Sequence, residues 1–189
     1  MNPVEDKRRA ILDATLRLIS EYGFHGTAMS KIAKEAGVSA GIIYHYFESK
    51  DDLMDEVYRD VKRHFGQTLS AEFDASQPIT MQVRQILGIM LRYYMARPLE
   101  SAFVEQYMRS PYFNEEIEVE MVQYYMPMVI CLKSAQSEQV IKPLPDAVIL
   151  AFTLDVATSL AQRQAAGSLT LDDALVEQVI EASWQAIRL

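Results

Sequence analysis

AGVSAGIIYHYFESKDDL, residues 36–53, places two tyrosines and a histidine just after a Gly-Val-Ser turn, in a chain whose formal charge is -8. Gly37 stops a helix arriving from upstream, because glycine takes a left-handed φ without strain. Ser39 can cap a new short helix through about Phe47. Ser49 starts another, with Asp51 and Asp52 in its first turn, where carboxylates meet the positive helix end. Upstream, Ile11, Leu12, Leu18 and Ile19, widened by Leu16 and Tyr22, predict an amphipathic helix over 5–22 ended by Gly23. Thr27 can cap a second helix with Met29, Ile32 and Ala33 on its inner face.

Two short helices joined by a tight glycine turn, after a longer first one, have the layout of a helix-turn-helix. The outer face of the third helix is Ser39, Ala40, Gly41, Ile42, Tyr44, His45 and Tyr46. Its start has almost no bulk, so it can approach the floor of a major groove, and its rings can reach phosphates or base edges. Half-buried packing of Tyr44 and Tyr46 is the competing reading of the same pattern.

Downstream, Leu53, Met54, Val57, Val61 and Phe65 carry the helix from 49 to about 65 as a rigid connector. DASQPIT reads as a loop, and helices over 79–96 and 99–109 each stop before a proline. A long helix over 114–136 contains Pro127, which predicts a kink or a break. SEQVIKPLPD is a loop, and helices over 146–166 and 171–188 are separated by Gly167. No stretch alternates like a strand. The fold class is therefore all-α with about nine helices, divided into a helix-turn-helix domain over 1–48 and a larger helical domain over 49–189.

Charge divides along the same line. Residues 7–50 hold seven Lys and Arg against four acids, and the remainder holds eleven against twenty-two. A basic third on an acidic body fits one end meeting a polyanion. No apolar run reaches the ~18 residues of a membrane span, and the N-terminus lacks the basic-then-apolar layout of a signal peptide. With Cys131 as the only cysteine, a reducing cytoplasm is the expected compartment.

FHGTAMSKIAKEAGVSAGIIYHYFESKDDLMDEV, Phe24 to Val57, resembles the N-terminal DNA-binding domain of TetR-type transcriptional regulators. That pattern is a glycine, a threonine pair, Ile-Ala, Ala-Gly-Val-Ser, Tyr-x-Tyr-Phe and a Ser-Lys-acid-acid-Leu run, and it covers about the first third of this chain. The resemblance implies that Ala40, Gly41, Ile42, Tyr44, His45 and Tyr46 meet bases or backbone, that Thr27 touches a phosphate, and that Lys50 pairs with another. Ala28 departs from the usual polar residue, and Ile42 replaces a common threonine or leucine. One such helix reads only a few base pairs, so the expected target is double-stranded DNA with a palindromic operator, bound by a homodimer with half-sites ~34 Å or more apart.

The second half adds a pocket. Residues 93–128 hold six of the ten tyrosines and five of the ten methionines, a mixture suited to variable hydrophobic or aromatic small molecules, although a helical core also needs large apolar residues. Candidate effector contacts are Tyr93, Phe103, Tyr107, Met108, Tyr124 and Met128. Apolar faces on the last two helices, Phe152, Val156 and Leu160 on one and Val179, Ala182 and Ala186 on the other, are the expected dimer interface. The resemblance implies a repressor released when an effector moves the connector helix. An enzyme is the rival class. Cys131 in MVICLKS reads as a buried small hydrophobe, and His25, His45 and His64 have no ligand spacing, so neither a nucleophile nor a metal or other cofactor is expected.

Overall fold

A computed structural model describes residues 3–189, with side chains from Asp6 onward; Met1 and Asn2, the start of the expected 1–48 domain, lie outside the described residues. The described residues form eleven α-helices: α1 Pro3–Tyr22, α2 Met29–Glu35, α3 Ala40–Tyr46, α4 Lys50–Glu72, α5 Ile79–Ala96, α6 Pro98–Met108, α7 Glu115–Met121, α8 Met126–Ser137, α9 Asp146–Phe152, α10 Leu154–Ala165 and α11 Asp173–Ile187. A single 3-10 turn, Val122–Tyr125, links α7 to α8. Counting the two interrupted helices as one each returns the nine expected. No strand occurs among the described residues beyond one isolated bridge, Ile141 to Arg188. There the loop before α9 meets the last residues, with Lys142 N donating to the Ile187 carbonyl at 2.7 Å.

The N-terminal unit closes as its sequence directs. Gly37 has φ +67°, and the amides of Gly37 and Val38 return to the carbonyls of Lys34 and Ala33, which satisfies the end of α2. Ser39 Oγ accepts from Ile42 N at the head of α3, and Ser49 Oγ accepts from Asp52 N at the head of α4. Ile32, Ile43 and Phe47 are essentially fully buried with Ile11, Leu12 and Ile19. Each such side chain stabilises the unit by about 1.5–3 kcal/mol.

The connector is longer than expected. α4 reaches Glu72 and buries one stripe over its whole length, from Leu53 through Val57, Val61 and Phe65 to Leu69. It is therefore both the last wall of the helix-turn-helix and the first wall of the second half. α5 is the central post of that half and packs against α4, α6, α8, α10 and α11.

Three sequence expectations need correction. Thr27 does not cap α2: the N-cap is Ala28, with no side-chain cap, because the Thr27 side chain turns inward. The 114–136 helix is broken, as Pro127 requires, but the break falls ahead of the proline. The 3-10 turn absorbs it, and Pro127 then lies in the first turn of α8, where its missing N–H costs nothing. The 146–166 helix is split at Thr153, whose φ, ψ of -124°, -76° leave the helical region. Thr153 Oγ1 donates to the Ile149 carbonyl at 2.9 Å, competing with the main chain for that acceptor.

Candidate functional site

α3 presents a distinct outer face. Ser39, Ala40, Gly41, Tyr44 and His45 are exposed, Tyr44 to 55 %. Ile42 and Tyr46 are half-buried at its margins and pack against the core. Seven of the nine residues assigned to DNA thus gather on or beside one short helix.

Thr27 and Lys50 turn inward instead. Thr27 is fully buried, and its hydroxyl donates to the carbonyls of Leu18 at 3.1 Å and Gly23 at 2.8 Å, so it ties the end of α1 and offers no side chain to a phosphate. Lys50 Nζ donates to the Phe24 carbonyl at 2.6 Å and lies over the Tyr112 ring at 5.6 Å. It links the α1–α2 turn and the α6–α7 segment. Nor is the whole basic surplus free for a polyanion. Arg8 is paired with Glu56 of α4, Arg9 with Asp13 and Asp60, and Arg17 with Glu35. Arg8 and Arg9 therefore bind the helix-turn-helix to α4.

The second feature is a cavity of about 150 Å³ between α4, α5, α6, α7, α8, α9 and α10, open to solvent beside the exposed Lys133–Asp146 pair. Its lining is mainly Phe65, Met90, Met128, Leu132, Ile149 and Leu150, closed at one end by Lys62, Tyr94, Glu118 and Tyr125. Glu118 accepts a hydrogen bond from Tyr58 on one oxygen and from Tyr125 on the other. Lys62 Nζ stands 3.5 Å from it. Burial alone would raise the Glu118 carboxyl, but Lys62 and the two phenols outweigh burial and hold it below the ordinary range. Burial pulls the Lys62 ammonium down, and Glu118 offsets this only in part.

Of the six expected effector residues, only Met108 and Met128 line this cavity. Phe103 is core, tilted against Phe24 with centroids 5.9 Å apart and stacked on Tyr107 at 5.6 Å. Tyr93 and Tyr107 are also fully buried, their hydroxyls donating to Glu100 and, at 2.7 Å, to Asp55. Tyr124 lies in a shallow groove beside Gly66 on another face. Lys62, Tyr94, Glu118 and the α9 residues were missed. A signal existed for Lys62: it follows Tyr58 at i+4 inside the buried stripe of α4, where a lysine is out of place.

α10 and α11 both lie against α5, and α10 also packs on α6 and α9 and α11 on α9. Phe152 is 42 % exposed, Ala182 is exposed, and Val156, Leu160, Val179 and Ala186 are half-buried, with Leu160 and Val179 packed against the chain's own core, so none of the six is fully enclosed by it. Burial pushes the Cys131 thiol up to about 11, which leaves it protonated at neutral pH. Among the described residues no helix is long and apolar enough to cross a membrane, and no three His, Cys, Asp or Glu side chains gather as metal ligands.

Known proteins share this fold. A family profile described as bacterial regulatory proteins, tetR family, matches residues 11–57, and a tetracyclin repressor-like C-terminal domain matches residues 78–188. An HTH-type transcriptional regulator of Haemophilus influenzae is 30% identical over 183 residues, covering 97% of this chain and 96% of that protein. The crystal structure of a TetR family transcription regulator from Marinobacter aquaeolei VT8 superimposes with a TM-score of 0.88 at 25% identity, covering 97% of this chain and 96% of that one. A putative TetR family regulator from Vibrio parahaemolyticus gives 0.78 at 30% identity over 97% and 99%. The chain belongs to the TetR family of bacterial transcriptional regulators and uses its helix-turn-helix to bind DNA.

Proposed function

We propose that the protein is a homodimeric repressor that occupies a palindromic operator and leaves it when a small, mostly apolar molecule fills the cavity. The observation that carries this reading is the double duty of α4. Its first turns belong to the reader, through Leu53 and Val57 and the Arg8–Glu56 and Arg9–Asp60 pairs, while Lys62 and Phe65 further along the same helix line the cavity. A rigid helix built into both ends transmits a displacement from one to the other. The reader over 1–48 is therefore joined to the body over 49–189 by packing on α4 rather than by a flexible linker.

In this reading Ser39, Ala40, Gly41, Tyr44 and His45 face the major groove, with Ile42 and Tyr46 at its edges. Gly41 provides a clean test. A Cβ built there meets only Ser39 Oγ, at 3.9 Å, so the chain itself has no need of glycine. Gly41→Ala should stabilise the fold by up to about 1 kcal/mol, yet lower operator affinity tenfold or more by adding bulk to the face nearest the bases. Tyr44→Ala should lose a similar factor without changing the melting temperature. Both are read by footprinting on DNA flanking the protein's own gene, then by anisotropy on the protected site. Full operator affinity in both variants would remove α3 from the interface.

A further inference from the structure

The polar end of the cavity is unequally satisfied. Glu118 already accepts a phenolic hydrogen on each oxygen. Lys62 Nζ, by contrast, has three donors and, among the described residues, one oxygen partner, Glu118 at 3.5 Å, longer than a strong charge-assisted hydrogen bond. The remaining stabilisation of the ammonium comes from ring faces, Tyr125 at 4.7 Å and Tyr58 at 5.1 Å. Tyr94 lines the same cavity at 2 % exposure, and its hydroxyl meets no hydrogen-bond partner among the described residues. Every fully enclosed side-chain polar atom among those residues does have a partner, so the Tyr94 hydroxyl is not fully enclosed, and Tyr94 is one of the residues that line the cavity. Spare donors thus outnumber spare acceptors at this end.

Building on the effector reading above, we infer that the cavity ligand is a small apolar carboxylic acid, its carboxylate taken by Lys62 Nζ and the Tyr94 hydroxyl and its tail lying along Phe65, Met90, Leu132 and Leu150. A cationic ligand is disfavoured because the site that would hold it, two tyrosine faces beside a carboxylate, is already filled by Lys62. A hydrocarbon would leave the ammonium's free N–H groups and the Tyr94 hydroxyl dry, each at the cost of an unmade hydrogen bond. A carboxylate satisfies both at once. It also competes with Glu118 for Lys62 and so loosens one of the contacts that hold α4 against α7, beside Tyr58–Glu118 and Arg59–Glu120, which gives the acid a route to the reader.

The probe pair is octanoate against octan-1-ol, equal in chain length and different in the head group, with binding followed by calorimetry on the full-length protein. Wild type should bind octanoate at least tenfold more tightly than octanol, and Lys62→Met should abolish that preference while still binding the alcohol. Tyr94→Phe, which keeps the Lys62–Glu118 pair, should weaken octanoate three- to tenfold and leave octanol unchanged; it decides the matter if Lys62→Met does not fold. Equal affinities in wild type, with both ligands blocked by Met108→Trp at the cavity edge, would overturn the acid and leave the cavity reading standing. Binding of neither ligand, or binding indifferent to Met108→Trp, would overturn the cavity reading and the acid with it.

Discussion

His64 stands where three helices exchange charge. Its Nδ1 lies 3.2 Å from Glu100 on α6 and its Nε2 4.0 Å from Asp60 on its own helix, while Arg9 of α1 pairs with the same Asp60. Tyr93 of α5 donates to Glu100, and Arg97 approaches that carboxylate at 3.9 Å. The Glu100 hydrogen bond raises the imidazole above its ordinary value, burial opposes it, Asp60 adds to the rise and Arg9 subtracts from it. A group raised on folding binds its proton more tightly in the native state, so its contribution is fully present below the unfolded value of about 6.5 and is lost as pH climbs through the higher folded one. The melting temperature of wild type should therefore decline from pH 6 to pH 8, and His64→Gln should flatten that decline. Parallel melting curves against pH in the two proteins would mean the imidazolium is not coupled to folding. Because the side chain is about a third exposed, solvent screening keeps the effect small.

The break between α7 and α8 shows what a helix–helix junction needs beyond the proline that announces it. Gly66 of α4 faces the 3-10 turn, and a Cβ there would lie 2.5 Å from the Tyr124 carbonyl oxygen and 2.7 Å from Tyr124 Cβ. The two main chains touch at this point, so the collision would be with backbone and not with a side chain that can swing away. Gly66→Ala should push the turn off α4, cost about 1–3 kcal/mol and lower the melting temperature by roughly 2–12 °C. It should also weaken octanoate binding, since Tyr125 ends the turn and Met128 follows it. An unchanged melting temperature would show that the junction has slack. The same junction explains what could and could not be read from the residues alone. Pro127 announces an interruption, and Gly37, Ser39 and Ser49 announce the reader, because those signals are local to the chain. Thr153 gives no such warning, since its back-bond to Ile149 splits a helix only in the packed context. The cavity was misplaced for a related reason. Tyr93 and Tyr94 are neighbours with the same composition, but consecutive helical residues point about 100° apart. That difference turns Tyr93 to Glu100 and Tyr94 to the cavity, and composition carries no such phase.

At the level of the whole molecule the charges work against indiscriminate binding. The part outside residues 7–50 holds twenty-two acids against eleven cations, and Arg8, Arg9 and Arg17 within the reader are already paired. Few cations remain to neutralise phosphates, so a single reader should hold DNA weakly at physiological salt. In the proposed dimer two readers add their contacts, and the proposed joint is the apolar surface that the chain's own core leaves partly open. Phe152, on the short α9 and 42 % exposed, is the largest of the six proposed interface residues. A charge there harms the isolated chain little, because the ring is not enclosed by it, but within a paired face it would be buried without a partner. Phe152→Glu should therefore keep its helical content and melt cooperatively, yet sediment as a monomer at micromolar concentration where wild type should sediment as a dimer. Operator affinity should fall at least a hundredfold, and the slope of log affinity against log salt should halve as one reader's phosphate contacts are lost. A Phe152→Glu protein that stays dimeric and keeps the wild-type salt slope would show that the copies meet through a different surface, and that the spacing of the two α3 helices is set elsewhere.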